Sequence, residues 1–332
     1  NSARDIDMFR GMESQKINFF GHRVAISDIP GLGRLMLASE RHYITYLNSV
    51  SAELYTALAN DKTRFPDGPT PWQKKAICDM INMWNGSGAI SKERRSAMLK
   101  SGINEVFWAP GLAISRIQTA AGYDIWAPLV SKGIANEQGG YDAPSAEERK
   151  TMAKLGLAEH VKSSLAMIAL GALVKFITAD DDDWYQFGQA DWFEKLMMLA
   201  SPKVGNTTID LTGGERSVYD LAHTLVTGRK RTSTGRTQKL GEGYKAPDAV
   251  SVVQRFMEGK WSPWLSEAFA LYNGKDYTGQ QYGLMQFLAN KVPLSASDIK
   301  DQVTMNGIGT SLLTAPLTLL GAGGSTYDRK PY

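Results

Sequence analysis

Between Gly228 and Gly241 the chain reads GRKRTSTGRTQKLG, with Arg229, Lys230, Arg231, Arg236 and Lys239 and no acid among them. Cations interleaved with threonine and serine hydroxyls suit the oxygens of a nucleic-acid backbone, which such groups hold without reading base sequence. A bound nucleotide would need more. The phosphate loop of nucleotide hydrolases requires G-x-x-x-x-G-K-[ST] between a strand and a helix, and the run from Gly228 to Gly235 has neither the spacing nor the closing pair. No aromatic residue in the loop offers a platform for a base. A solvated charge run, or one paired with acids elsewhere in the chain, is the competing reading.

Other chemistry-bearing residues point to structure. Asp180-Asp181-Asp182-Asp183 would suit calcium only if oxygens continued at alternating positions towards a glycine and a later glutamate, and Tyr185 and Gln186 break that order. The same acids favour a helix N-terminus, and a helix over 184–199 is expected after them. Cys78, the single cysteine, rules out an internal disulfide and sits in an apolar stripe between Ile77 and Ile81, so it reads as core. His22, His42, His160 and His223 show no zinc spacing. His223 lies one helical turn after Asp220, but no serine or cysteine motif marks a nucleophile for that pair. The sequence therefore predicts no catalytic constellation, no metal and no cofactor.

The bulk numbers describe what must position these residues. With 332 residues, 43% of them hydrophobic and 21% charged, the composition is globular. A net charge of +3 from 37 basic and 34 acidic side chains gives no global field towards nucleic acid or anionic lipid, so a basic contact must be local. The chain begins Asn-Ser without an initiator methionine and without a signal-peptide pattern, and reads as a piece of something longer.

Helix signals dominate. Tyr43, Tyr46, Leu47, Val50, Leu54 and Leu58 recur at three- and four-residue steps in a first helix from Pro30, closed by a polar loop over 61–68. Thr70-Pro71 caps a second, with Ile77, Ile81 and Trp84 on its stripe and Asn85-Gly86-Ser87-Gly88 as its stop. A third starts at Ser91 and breaks at Pro110, and a further one carries Leu112 to Gln118. Gly133 to Pro144 reads as a linker between a helical subdomain over 1–135 and a second over 145–332, which opens on the capping-box pattern Ser145-Ala-Glu-Glu148. A small hairpin is expected near 203–211, because Gly205-Asn206 supplies a two-residue turn. Later helices follow at 217–228, at 248–258 and at 263–272, with a basic loop over 228–241. The expected fold is mainly α, a multi-helix globular domain with one small β-hairpin.

Two apolar stretches raise the question of membranes. Ser163 to Val174 lacks charge but is shorter than a bilayer span, so a buried core helix is expected there. Gln302 to Tyr327 is also uncharged, yet glycines and threonines dilute it, and a packed tail is expected. Membrane contact is the less favoured reading of both.

The order of unusual pieces carries a resemblance. Leu37-Ala-Ser-Glu-Arg41, Tyr46-Leu-Asn48, Asn85-Gly-Ser-Gly88, Val106-Phe-Trp-Ala-Pro110 and Ser115-Arg-Ile-Gln118 come first. Gly205-Asn-Thr-Thr-Ile-Asp210, Gly213-Gly214, Leu225-Val-Thr-Gly-Arg-Lys230, Thr234-Gly-Arg236, Arg255-Phe256 and Gly259-Lys260 follow. Together they resemble the C-terminal region of very large tailed-bacteriophage proteins, the polyvalent or internal virion proteins packaged in the capsid and delivered with the DNA. The likeness spans roughly residues 35–327 and rests on many short matches, none specific alone. Trp108 and Gly111 depart from it, standing where a phenylalanine and a basic residue are usual.

The resemblance implies a context and transfers no catalytic residue. It implies a non-enzymatic structural or docking domain, located in the virion inside the capsid or near the portal and ejected with the genome. The expected partners are other virion proteins and the phage DNA backbone. Virion RNA polymerase, methyltransferase or helicase modules belong to other parts of such proteins. Two alternatives stand beside it: an accessory domain of a phage-encoded DNA- or RNA-processing enzyme, and a membrane-interacting ejection segment.

Overall fold

The computed structural model describes residues 16–19, 22–25, 32–86, 110–135, 141–231, 237–243, 246–260, 269–274, 281, 283 and 323–326. In chain order the elements are β1 (Lys16–Phe19), β2 (His22–Ala25), α1 (Leu32–Ala59), α2 (Pro71–Trp84), α3 (Pro110–Ala120), α4 (Tyr123–Val130), β3 (Ile134–Ala135), β4 (Tyr141–Asp142) and α5 (Ala146–Thr178). Then follow α6 (Asp181–Gln189), α7 (Trp192–Ala200), β5 (Lys203–Val204), β6 (Thr207–Asp210), α8 (Arg216–Thr227), β7 (Arg229–Arg231), β8 (Thr237–Lys239), α9 (Ala249–Glu258) and β9 (Gly323–Thr326). The fold is mainly α with short antiparallel strands, as the sequence predicts.

The chain forms two compact units that interleave in sequence: Asn1–Ile90 with Gly122–Leu157, and Ser91–Ala121 with Ala158–Tyr332. The sequence reading has a single boundary at 133–144, whereas that stretch carries the β3–β4 pairing and the change of unit falls inside α5. A boundary within a helix leaves no Gly- or Pro-rich signature to read.

In the first unit Leu58, Phe65 and Trp72 meet Ile77, Met80 and Ile81 of α2 and Met152 and Leu155 of α5. Each large side chain fully buried there contributes roughly 1.5–3 kcal/mol. Cys78 of α2 is buried, as its place in the stripe predicts. The α1 stripe is offset from expectation: Tyr46 and Val50 are exposed, while Ser51 is buried and accepts a hydrogen bond from Asn85 Nδ2 at 3.3 Å. A polar residue inside an apolar stripe escapes a hydrophobic count. The indole N–H groups of Trp72 and Trp84 donate to Ser131 Oγ (3.1 Å) and Asp124 Oδ2 (3.2 Å).

The capping box at the start of α5 is present and does a second task. Glu148 accepts from the Ser145 amide at 2.7 Å and also from the Thr70 hydroxyl at 2.7 Å, tying α5 to the cap of α2. These bonds, the Ser145 amide first, hold the Glu148 carboxyl below its ordinary value. A lowered folded value contributes stability that is fully present above the unfolded value and is lost as pH falls through the folded one. Glu148→Gln should therefore lower the thermal midpoint at neutral pH, with the difference from the parent shrinking below about pH 4; paired melts across that window check it.

In the second unit the aspartate run caps a helix. Asp180 accepts from the Asp183 amide at 2.8 Å, and Asp183 pairs with Lys203 at 3.1 Å. The helix expected over 184–199 is two helices, α6 and α7, because Asp191 and Glu194 form a capping box that starts α7. Local cap chemistry begins a helix where apolar periodicity runs on.

Ser163–Val174 is helical within α5 but not buried as expected, since only Gly171 of that stretch is fully enclosed. Leu165, Leu170 and Leu173 are exposed and Met167, Ile168 and Val174 half-buried, while Gly171 on the other side packs on the Leu199 carbonyl of α7. The expected helix from Ser91, the turn at 107–109 and most of 263–272 and of 302–327 lie outside the described residues. Within 302–327, β9 pairs antiparallel with β6, Thr207 opposite Thr326.

Candidate functional site

The expected hairpin is formed by β5 and β6, with Val204 opposite Thr207 and Gly205 at φ 59° in the two-residue turn. Val204, Thr207 and Ile209 are buried on its inner side. The chain then turns sharply into α8 through Gly213 and Gly214, at φ 62° and 97°, angles that L side chains rarely adopt.

Asp210 organises this turn. One carboxylate oxygen accepts from the Thr212 amide (2.9 Å) and hydroxyl (2.6 Å), and the other from the Gly214 amide (3.0 Å). Thr212 Oγ in turn accepts from the Arg216 amide at 2.9 Å and so caps α8. Ser217, where the sequence places the start of this helix, lies inside its first turn and donates back to the Gly214 carbonyl at 2.9 Å.

Two cations from distant elements close the arrangement. Arg116 of α3 lies against the glycines: a Cβ on Gly213 would stand 3.2 Å from its guanidinium. Arg116 also approaches Glu215 at 3.8 Å, and its buried Nε has no hydrogen-bond partner among the described residues. Lys260, just beyond α9, donates to Ser217 Oγ at 3.1 Å. Burial pushes the Lys260 ammonium below its ordinary value, the Asp210 carboxylate opposing and Arg116 adding to the shift. With Asp210 saturated as an acceptor and Lys260 held by a hydroxyl, the cluster is suited to fixing a turn.

The basic run is also a hairpin, where a loop was expected. β7 and β8 pair with Arg229 opposite Lys239 and Arg231 opposite Thr237. Its strands lack apolar alternation, so period-two reasoning passes over them. Gly228 ends α8 in the left-handed conformation and turns the chain into β7.

The predicted cations have different surroundings. Arg231 is committed internally, its guanidinium 2.7 Å from Glu194 and 2.9 Å from the Gln186 carbonyl. Lys230 is partly buried, and its ammonium is pushed below the ordinary value by that burial and then by Arg255 beside it. Lys239 makes an exposed pair with Glu242 at 3.1 Å, of a kind worth little. Arg229 is exposed, with no acidic partner among the described residues, and Arg236 lies outside them. Arg231→Ala should cost about 1–3 kcal/mol by leaving Glu194 without its cation, against less than about 0.5 for Arg229→Ala; urea denaturation of the two variants checks the contrast.

The acids that receive these groups were not anticipated as partners. Asp191 and Glu194, the capping box of α7, are bound from outside by His223 Nε2 (3.2 Å) and Arg231. His223 also stacks on Phe193, ring centroids 4.5 Å apart, and so supports α7. The pattern D-x-x-E at 191–194 was available in the sequence as a cap signal.

Comparison with known proteins finds no matching family, no similar curated protein and no similar solved structure.

Proposed function

We propose that this chain is a non-enzymatic structural and docking module of a large phage virion protein, packaged inside the capsid or at the portal and ejected with the genome. One observation carries the reading. Arg116, Asp210, Gly213-Gly214 and Lys260 come from four of the separate motifs behind the resemblance, and they meet around one turn: Asp210 accepts from the Gly214 amide, the Arg116 guanidinium lies against Gly213, and Lys260 donates to Ser217 in the first turn of α8. Motif residues spent on a turn favour an architectural role over a reacting one. The partners are other internal or portal proteins.

Mass spectrometry of purified particles, set beside infected-cell lysate, tests the assignment. Recovery of peptides from this chain in the particle is expected. Recovery from lysate alone would refute it and favour an accessory domain of a phage nucleic-acid enzyme.

DNA contact is the secondary role, through the exposed side of the β7–β8 hairpin. Each phosphate neutralised on duplex DNA contributes about 0.9 to the log–log slope of affinity against salt. Arg229→Ala combined with Lys239→Ala should therefore flatten that slope by about two units without unfolding the protein, and Arg236→Ala by about one more. An unchanged slope would make the run a solvated one. Arg231 is left intact because its removal acts on the fold.

A further inference from the structure

We propose that the outward arc of α5 in the second unit seats in the surface of a lipid bilayer, the helix lying in the membrane plane. The inference goes beyond the virion reading and does not depend on it. At 100° per residue, Val161, Leu165, Leu170, Leu173, Phe176 and Ile177 fall within one half of the helix. Leu165, Leu173, Phe176 and Ile177 are 60%, 57%, 79% and 68% exposed. Together the six form a patch on the order of 600 Å², at the upper end of what soluble monomers leave in water.

The inward half carries the helix's buried polar groups, beside the half-buried Met167, Ile168 and Val174. Lys175 is only 4% exposed and donates to the Asp183 carbonyl at 3.3 Å, and Thr178 Oγ donates to the Lys203 carbonyl at 3.1 Å. Gly171 packs directly on the Leu199 carbonyl. The outer half, whose one charge is Lys162 at its start, is more apolar than the inner one, which reverses the order of a water-facing helix. This order matches helices whose outer face meets lipid, where small residues allow close backbone approach.

Length and hydropathy agree. α5 is long and apolar enough to cross a membrane, and only 11% of its most apolar stretch is buried. Burial excludes the core-helix explanation. A full crossing is not favoured, because the uncharged run between Lys162 and Lys175 covers about 18 Å against the roughly 30 Å of a hydrocarbon core. The residues 161–178 contain no acid, which a protein partner's polar rim would ordinarily meet. Beyond the helix end Trp184, Tyr185 and Trp192 are exposed, residue types that settle at headgroup level.

The test is flotation of the whole chain with phosphatidylcholine vesicles and with vesicles containing one quarter phosphatidylglycerol. Binding to both is expected, with the partition coefficient reduced at least tenfold in Leu165→Gln/Leu173→Gln/Phe176→Gln while circular dichroism is unchanged. No flotation of the parent with either vesicle, or flotation untouched by the triple variant, would overturn the proposal. So would a doubled mass in sedimentation that the triple variant abolishes without any vesicle binding, since the face would then belong to a second copy. Should the triple variant misfold, an environment-sensitive dye on Leu173→Cys decides: a blue shift with vesicles supports the proposal, and none refutes it. Cys78 is buried and does not compete for the label.

Discussion

Gly171→Ala is expected to destabilise the second unit by more than about 2 kcal/mol, whereas Gly188→Ala should stabilise it slightly. Both replace a glycine inside a helix, and propensity alone favours alanine by about 1 kcal/mol at each. Space decides the sign. A Cβ on Gly171 would stand 1.6 Å from the Leu199 carbonyl oxygen, while one on Gly188 meets nothing within 4 Å among the described residues. The obstacle at 171 is backbone, so α5 and α7 must separate, and overpacking of this kind costs about 1–3 kcal/mol or more. Urea denaturation followed by circular dichroism measures both. Equal shifts in the two variants would show that α5 and α7 do not pack through this glycine.

Asp210→Ala should cost about 3 kcal/mol, and Asp210→Asn roughly half of that. The carboxylate satisfies two amides and a hydroxyl of the Gly-Gly turn, and hydrogen bonds to a charged group contribute about 1.5–3 kcal/mol. Asparagine keeps one acceptor oxygen and gives up the charge that faces Lys260. Without that charge the Lys260 ammonium has only burial and Arg116 acting on it, both lowering its value. Its reaction with an amine-selective reagent should therefore quicken at mildly alkaline pH in the variant, which separates loss of the carboxylate from general loosening.

Local chemistry was the legible part of this fold. Gly205-Asn206 announces the β5–β6 hairpin, Thr70-Pro71 and Ser145 with Glu148 announce helix starts, and Asp248 caps α9 by accepting from the Ser251 amide. The split at Ala190 was equally local, but the apolar stripe over 184–199 masked the capping box at Asp191. What stayed hidden depends on contacts between distant elements. Arg116 gives no sign in sequence that it lies under Gly213, nor Arg231 that it is bound by Glu194. The run of cations from Arg229 to Lys239 looks uniform, yet pairing and burial divide it into residues that hold the fold and residues that face solvent. The outward face of α5 was misread because hydrophobic content reports what a helix can bury and not which side its neighbours cover.

If Asp210, Gly214 and Arg116 build a turn rather than a reacting centre, the amides that Asp210 receives must be protected in the folded protein. Residue-resolved hydrogen exchange at Thr212 and Gly214, in the parent and in Asp210→Asn, measures this directly. Slow exchange at both amides is predicted in the parent, accelerated about tenfold or more in the variant, with Ile209, whose amide donates to the Pro202 carbonyl, unchanged. Exchange of Thr212 and Gly214 at free-peptide rates in the parent would contradict the architectural role on which the proposed function rests.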